Sequence, residues 1–430
     1  MHRIVSVLGL LPALATPALA DGLSPMEALG KSIFFDTNLS ANGNQACVSC
    51  HDPDAGFTSP FAEFNAAGGV VEGSVAGRFG NRKPPSAAYA SFSPVLHHIL
   101  DDGDVTIVGG AFLDGRATGS KLGTPTADQA QGPFLNPMEM GLPHAACVVA
   151  KVLDPADPAQ YAVKLADVWG EDVAVEIPAA ITDRCGDPDA KITIADADLE
   201  ARINDAFDKI ALSVAAFETS AEVNPFSSRF DAWVAGTGTL SDQELKGFDL
   251  FKAEDKGNCA ACHVLTPTGR SSHAIFTDWT FDNLGVPRNR DNPQGADYVD
   301  PGLGGYLKAD PVYAGLAEGV MGAQQVPTLR NLDKRVSPDA PKAYMHNGYF
   351  KTIEGVVRFY NTRDVLPRCA DPLASEAEAL AQNCWPVPEI EATMNKDELG
   401  DLKLTAAEEA DLVAFLRTLE KERRKRRRSA

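Results

Sequence analysis

Cys47-Val48-Ser49-Cys50-His51 recurs 212 positions later as Cys259-Ala260-Ala261-Cys262-His263, and this repetition constrains the fold more than any other feature. Two thiols three positions apart, followed directly by an imidazole, form the attachment signature of c-type haem. The thiols can add to the two vinyl groups of the ring, and the adjacent histidine is then placed to ligate iron. One such match could arise by chance or be half of a zinc site. Two in one chain point to two haems, each needing a shell of chain around it, and to redox chemistry.

The N-terminus fits haem attachment outside the cytoplasm. His2 and Arg3 precede the apolar run Ile4 to Leu14, and Ala18-Leu19-Ala20 is a small-x-small cleavage site before Asp21. That pattern reads as a secretory leader over 1–20, too short and wrongly flanked for a spanning helix. No later segment reaches the roughly 20 apolar residues of a membrane span. The expected location is the periplasm.

Without Arg3, 38 basic residues face 59 acidic ones, a net charge of −21. Such a surface excludes general nucleic-acid binding and suits basic or locally basic protein partners. The basic tail at 421–430 reads as a solvated end. Four cysteines remain beyond the motifs: Cys147, Cys185, Cys369 and Cys384. An oxidising compartment permits two disulfides among them. Pairing Cys147 with Cys185 and Cys369 with Cys384 is the simplest of three connectivities.

The chain reads as a diverged duplication. Leu29-Gly30-Lys31-Ser32-Ile33-Phe34-Phe35 leads to the first motif, and Leu245-Lys246-Gly247-Phe248-Asp249-Leu250-Phe251 leads to the second. Ser24-Pro25-Met26-Glu27, Ser241-Asp242-Gln243-Glu244 and Thr405-Ala406-Ala407-Glu408 each fit a capping box. Leu199, Ile203, Phe207, Ile210, Val214 and Phe217 predict a long amphipathic helix, and Leu412, Phe415, Leu416 and Leu419 a last one. Stretches 52–136 and 264–345 are rich in Gly, Pro, Asn and Asp and read as irregular loops. The expectation is a mostly α protein of two cytochrome c-like haem domains, 21–221 and 222–420, with few strands.

His51 and His263 are the expected proximal ligands, so the sixth position of each iron decides function. Of the other histidines, His97, His98, His144, His273 and His346 carry no ligand signature of their own.

Several blocks resemble the bacterial di-haem cytochrome c peroxidase/MauG family. They are Phe112-Leu113-Asp114-Gly115-Arg116, Gln129 through Gly141 with its Asn136-Pro137-Met138-Glu139 core, Val326 through Asn331, and Tyr344-Met345-His346-Asn347-Gly348 running on to Asn361. With the two motifs they stand in the family's order and cover nearly the whole chain after the leader. The resemblance implies that the N-terminal haem is the peroxide site, with Glu139 over its open face and Gln129 assisting. A carboxylate in an apolar pocket can take a proton from one peroxide oxygen and return it to the other. The same four residues also fit a helix start with glutamate at N3, a purely structural role.

The stretch Val71 to Gly80, followed by Arg82-Lys83-Pro84-Pro85, holds no histidine where relatives often carry a removable distal ligand. The first haem is therefore expected to be open at rest. Lys83 stands where the family usually has an asparagine near an interdomain calcium, and an ammonium is a poor neighbour for a dication. Carbonyls around Pro341 and Ala343 could still serve one, so calcium stays open.

Many relatives place a methionine ligand fourteen residues after the histidine of the Met-His-Asn-Gly block, and here that position is Tyr360. Ile353, Val356, Val357 and Tyr360 share one helical face. Tyr360 resembles the MauG-type tyrosine ligand, a hard anionic donor that stabilises oxidised iron and lowers its potential. Leu113 replaces the usual interhaem tryptophan, leaving Phe112 or Trp279 to carry charge. The resemblance thus implies a peroxidase fed by a small cytochrome c or copper protein, or a MauG-like enzyme oxidising Tyr or Trp of a partner protein. A different class, a di-haem electron carrier without catalysis, requires the first haem to be closed.

Overall fold

The computed structural model describes residues 22–101 and 104–421, so the leader at 1–20 and the tail beyond Lys421 lie outside the described residues. The fold is mostly helical, as expected. Among the described residues strands form only two antiparallel pairs, His97–Asp101 with Asp104–Val108 and Phe281–Asp282 with Gln324–Gln325. No helix there is long and apolar enough to cross a membrane.

Local chemistry sets the helix starts. Ser24 Oγ accepts the Glu27 N–H at 3.3 Å while Glu27 Oε2 accepts the Ser24 N–H at 2.7 Å, opening the helix Pro25–Phe34. Ser241 with Glu244 opens Asp242–Lys252 in the same way, and Thr405 with Glu408 opens Ala406–Leu416. Each such cap is worth about 1 kcal/mol. Ser228–Asp231 and Ser375–Glu378 form two further boxes that the pattern reading passed over.

Glycine then sets how helices cross. A Cβ on Gly30 would lie 1.8 Å from the Ser213 carbonyl oxygen of the long helix Ala197–Thr219. One on Gly247 would lie 2.0 Å from the Asp411 carbonyl oxygen of Ala406–Leu416. Each half therefore closes the helix before its attachment motif onto a later helix, backbone against backbone, where only hydrogen fits.

Buried apolar side chains gather into two large clusters. One is built from Leu29 to Val223, including Ile203, Phe207, Ile210, Val214 and Phe217 of the long helix, and is joined by Ile275 and Trp279. The other runs from Phe230 to Leu419 and includes Leu412, Phe415 and Leu416. The disulfides Cys147–Cys185 and Cys369–Cys384 are both formed, the simplest of the three pairings.

Several segments depart from the irregular reading: the short helices Ala62–Ala66 and Gly302–Leu307, the strand pair at 97–101 and 104–108, and one longer helix. Pro125–Leu135, inside the 52–136 stretch, is helical, capped by Thr124. Gly132 and Pro133 hide it from propensity. Burial of Ala127, Ala130 and Phe134 sustains it, with the Phe134 ring edge-on to Phe207 of the long helix at 6.1 Å.

Candidate functional site

The two motif histidines are held by one device. His51 Nδ1 lies 3.0 Å from the Phe57 carbonyl oxygen and His263 Nδ1 lies 2.8 Å from that of Phe276. A carbonyl only accepts, so Nδ1 carries the proton and Nε2 is left as the ligand atom. Phe57 and Phe276 both sit in the left-handed region, with φ of 58° and 55°. That conformation costs a bulky residue on the order of 1–3 kcal/mol, and here it turns a carbonyl toward an imidazole in both halves. Burial pushes His263 down to about 4 and lowers His51, keeping both rings neutral and fit to bind a metal.

All four motif cysteines are half-buried and outside disulfides. Burial pushes the Cys50 and Cys259 thiols up to about 12.

Glu139 is not at a helix start. Asn136 ends the helix Pro125–Leu135, and residues 137–140 form a turn. Asn136 Oδ1 accepts the Met138 N–H at 3.0 Å, and the Asn136 carbonyl accepts the Glu139 N–H at 2.9 Å. The capping role is therefore absent. The Glu139 side chain is half-buried, and burial lifts its carboxyl above the usual range against the opposing pull of Arg116 and Asn136. Its charge reaches both Cys47 and Cys50, which places it beside the first attachment motif.

Gln129 lies half-buried in the helix that leads to this turn. One helical turn on, a Cβ on Gly132 would sit 3.2 Å from the Phe112 ring. The Arg116 guanidinium lies over that ring, 3.6 Å from its centroid. Arg116 was legible only as part of a block; its work on Glu139 was not. Glu218 was missed entirely. It is 6% exposed, burial pushes it up to about 8, and its charge acts on Cys47.

In the second half, Cys259, Cys262, His263 and Tyr360 line one cavity of about 300 Å³, whose wall also includes Phe112, Leu113 and Trp279. Tyr360 is carried by the helix Ile353–Thr362, whose Ile353 and Val357 are buried. Burial raises its phenol, with the Cys262, Cys259 and Asp282 charges adding to the shift. The Arg363 charge opposes the shift, and a cation in the cavity would favour the phenolate further. Trp279 Nε1 and the side-chain amide of Gln324, both in this wall, have no hydrogen-bond partner. Buried polar groups are normally satisfied, so a wall of this kind fits a ring-sized ligand with polar edges. A haem meets that description.

The remaining histidines have structural partners. His346 Nε2 is held by Glu389 at 3.0 Å, and His144 caps the helix Ala145–Val152. His273 stacks on Phe226 at 4.1 Å, His98 meets Tyr313, and His97 bonds the Val95 carbonyl.

A sequence profile of the family described as di-haem cytochrome c peroxidase matches residues 24–239. The chain is 32% identical to the methylamine utilization protein MauG of Paracoccus denitrificans over 399 residues, 92% of this chain and 88% of that protein. It is 27% identical to the cytochrome c551 peroxidase of Nitrosomonas europaea over 345 residues, 80% and 73% of the two chains. The crystal structure of the di-haem peroxidase BthA from Burkholderia thailandensis superposes with a TM-score of 0.70 at 29% identity, covering 93% of this chain and 87% of that one. With the profile spanning half of the chain and MauG matched over nearly all of it, this protein belongs to the di-haem cytochrome c peroxidase and MauG family, oxidoreductases that carry two haem groups and use peroxide.

Proposed function

We propose that the protein is a periplasmic di-haem peroxidase that reduces hydrogen peroxide to water with electrons from a small cytochrome c or copper protein. The observation that carries this reading is Glu139, a half-buried carboxyl of raised pKa beside Cys47 and Cys50 and facing Arg116. Residues 21–221 and 222–420 would form the two haem domains, in keeping with the two apolar clusters. Cys47, Cys50 and His51 would hold one haem covalently, and Cys259, Cys262 and His263 the other. When bound, the haems supply the two-electron redox chemistry.

The chain's residues would do the rest. Glu139 removes a proton from one peroxide oxygen and delivers it to the other, which leaves as water. Its raised pKa brings the carboxyl closer to the working pH, so that both transfers run with small driving-force penalties. Arg116 limits that rise and keeps the carboxylate form accessible. Gln129 orients the peroxide from the neighbouring helix. Tyr360 would close the second haem, and Phe112 and Trp279, both in its wall, would pass charge between the halves. Two electrons and two protons complete the reduction to two waters. The net charge of −21 without Arg3 favours a donor with a basic face.

A second reading is MauG-like oxidation of Tyr or Trp on a partner protein. Tyr360 in the second cavity favours it, as does the extent of the likeness to MauG. Stopped-flow spectroscopy of the diferric protein with peroxide separates the two. Rapid oxidation of added reduced cytochrome c is the expected result. A long-lived oxidised state that ignores the donor would instead establish the second reading. Two low-spin haems indifferent to peroxide would leave only electron carriage.

A further inference from the structure

The loop after the first attachment motif meets the segment before His346 at the seam between the halves. Lys83 donates its backbone N–H to the His346 carbonyl at 2.7 Å. Its Nζ donates to the Pro84 carbonyl at 2.9 Å and to Thr58 Oγ1 at 3.3 Å. From the other half Lys342, 5% exposed, donates from Nζ to the Ala55 carbonyl at 3.1 Å and the Lys334 carbonyl at 2.5 Å. Both side chains line the cavity that holds His263 and Tyr360.

This is where the family resemblance implies a calcium ion, and the residues present do not fit one. The Pro341 carbonyl, a candidate ligand, already accepts the Asn65 amide at 3.2 Å. The carbonyls of Ala55, Pro84 and Lys334 are taken by ammonium groups. Calcium needs six to eight oxygens, usually with carboxylates among them, and it would sit here beside two positive side chains.

We propose that the chain supplies its own cation at the seam: the ammonium groups of Lys83 and Lys342 take the place of the interdomain calcium, and the protein needs no bound dication. The two lysines do what such an ion would do. Lys342 ties a residue of the second half to Ala55 of the first, two positions before the Phe57 carbonyl that aims His51. Lys83 places positive charge near the His51 ring itself. They are positioning residues for the first haem. Burial pulls Lys83 down to about 8 and Lys342 to about 7, the latter also through repulsion from Lys83, so both are ammonium groups only below that range, where a dication would add to the repulsion.

The test uses the holoprotein, EGTA and calcium chloride. After dialysis against EGTA the parent keeps its ferric spectrum and melting temperature, and equilibrium dialysis with radiolabelled calcium finds no stoichiometric site. A Lys83→Asn, Lys342→Ala double variant, which removes both ammonium groups and adds an amide oxygen, gains a melting temperature that rises with calcium, as mass action requires of a new site. One calcium bound per parent chain, or a first-haem spectrum that chelation alters and calcium restores, overturns the proposal. So does a double variant as indifferent to calcium as the parent. If that variant does not fold, the calcium stoichiometry of the parent decides alone.

Discussion

In the first half, the group proposed to face the ligand is a carboxyl on a four-residue turn, near the motif thiols and within reach of the Arg116 charge. In the second half it is a phenol fixed to a helix whose neighbours are buried in the core. Beneath them the anchors match: a neutral histidine, Nδ1 on a carbonyl, and a left-handed phenylalanine supplying it. The shared anchor is what a diverged duplication would keep, and the facing groups are among the features that differ. A carboxyl can move protons without binding the metal tightly, whereas a phenolate binds and closes. On the proposed reading, the comparison teaches how one scaffold would make a reactive site and a storage site by setting a carboxyl in one half and a phenol in the other.

The largest expected effect breaks the first half alone. Glu139→Gln keeps the size of the side chain and removes its proton chemistry, so peroxide reactivity should fall by about two to four powers of ten. Stopped-flow rates measure it, with the second haem's spectrum as an internal control. The parent's rate should also fall with decreasing pH through a value above 4.5, the ordinary carboxyl, because burial raises Glu139. A variant within a few-fold of the parent would remove Glu139 from the chemistry.

Tyr360→Phe addresses the other half. If the phenol closes the second haem, the ferric spectrum of that haem alone should change and its midpoint potential should rise, since an anionic donor is lost. Peroxide should still react at the first site. An unaltered spectrum would make Tyr360 an ordinary core residue, and the contrast between the halves would reduce to Glu139.

What could be read from sequence was the chemistry that is local in the chain. The attachment motifs, three capping boxes, both disulfides and the long amphipathic helix each depend on residues within a few turns or on simple pairing. The helix Pro125–Leu135 was not readable, because tertiary burial of Phe134 overrides Gly132 and Pro133. The carbonyl grip on the histidines was hidden too: nothing in propensity marks Phe57 or Phe276 as left-handed. Lys342, between two candidate carbonyls, carries no local signal; its burial and its bond to Ala55 give it a role. The helix and the Lys342 bond depend on contacts between residues far apart in the chain, whereas the two carbonyl grips are short-range and hidden by an unusual backbone conformation.

Paired glycine substitutions probe the shared scaffold. Gly30→Ala drives a Cβ into the Ser213 carbonyl and Gly247→Ala drives one into that of Asp411. Overpacking of this kind costs about 1–3 kcal/mol or more. Urea unfolding of the holoprotein should show both losses, with the spectral change starting at the first haem for Gly30→Ala and at the second for Gly247→Ala. Two variants as stable as the parent would mean that the helix crossings are not tight.

Glu218 distinguishes the halves more gently, through a slope rather than a level. It is buried beside Cys47, whereas in the second half Glu398, whose charge acts on Cys262, is exposed. Burial raises Glu218 from 4.5 to about 8. Between those values the folded protein binds a proton that the unfolded chain has released, so stability falls as pH rises across this window, by at most about 1.4 kcal/mol per pH unit. Glu218→Gln cannot ionise and should lose that slope, while every other titrating group cancels in the comparison with the parent. Urea unfolding of both holoproteins at pH 5, 6, 7 and 8 would show the two stabilities diverging steadily toward the alkaline end, in favour of the variant. Parallel curves would mean that Glu218 titrates as an ordinary carboxyl, and the burial of charge beside the first haem would no longer separate it from the second.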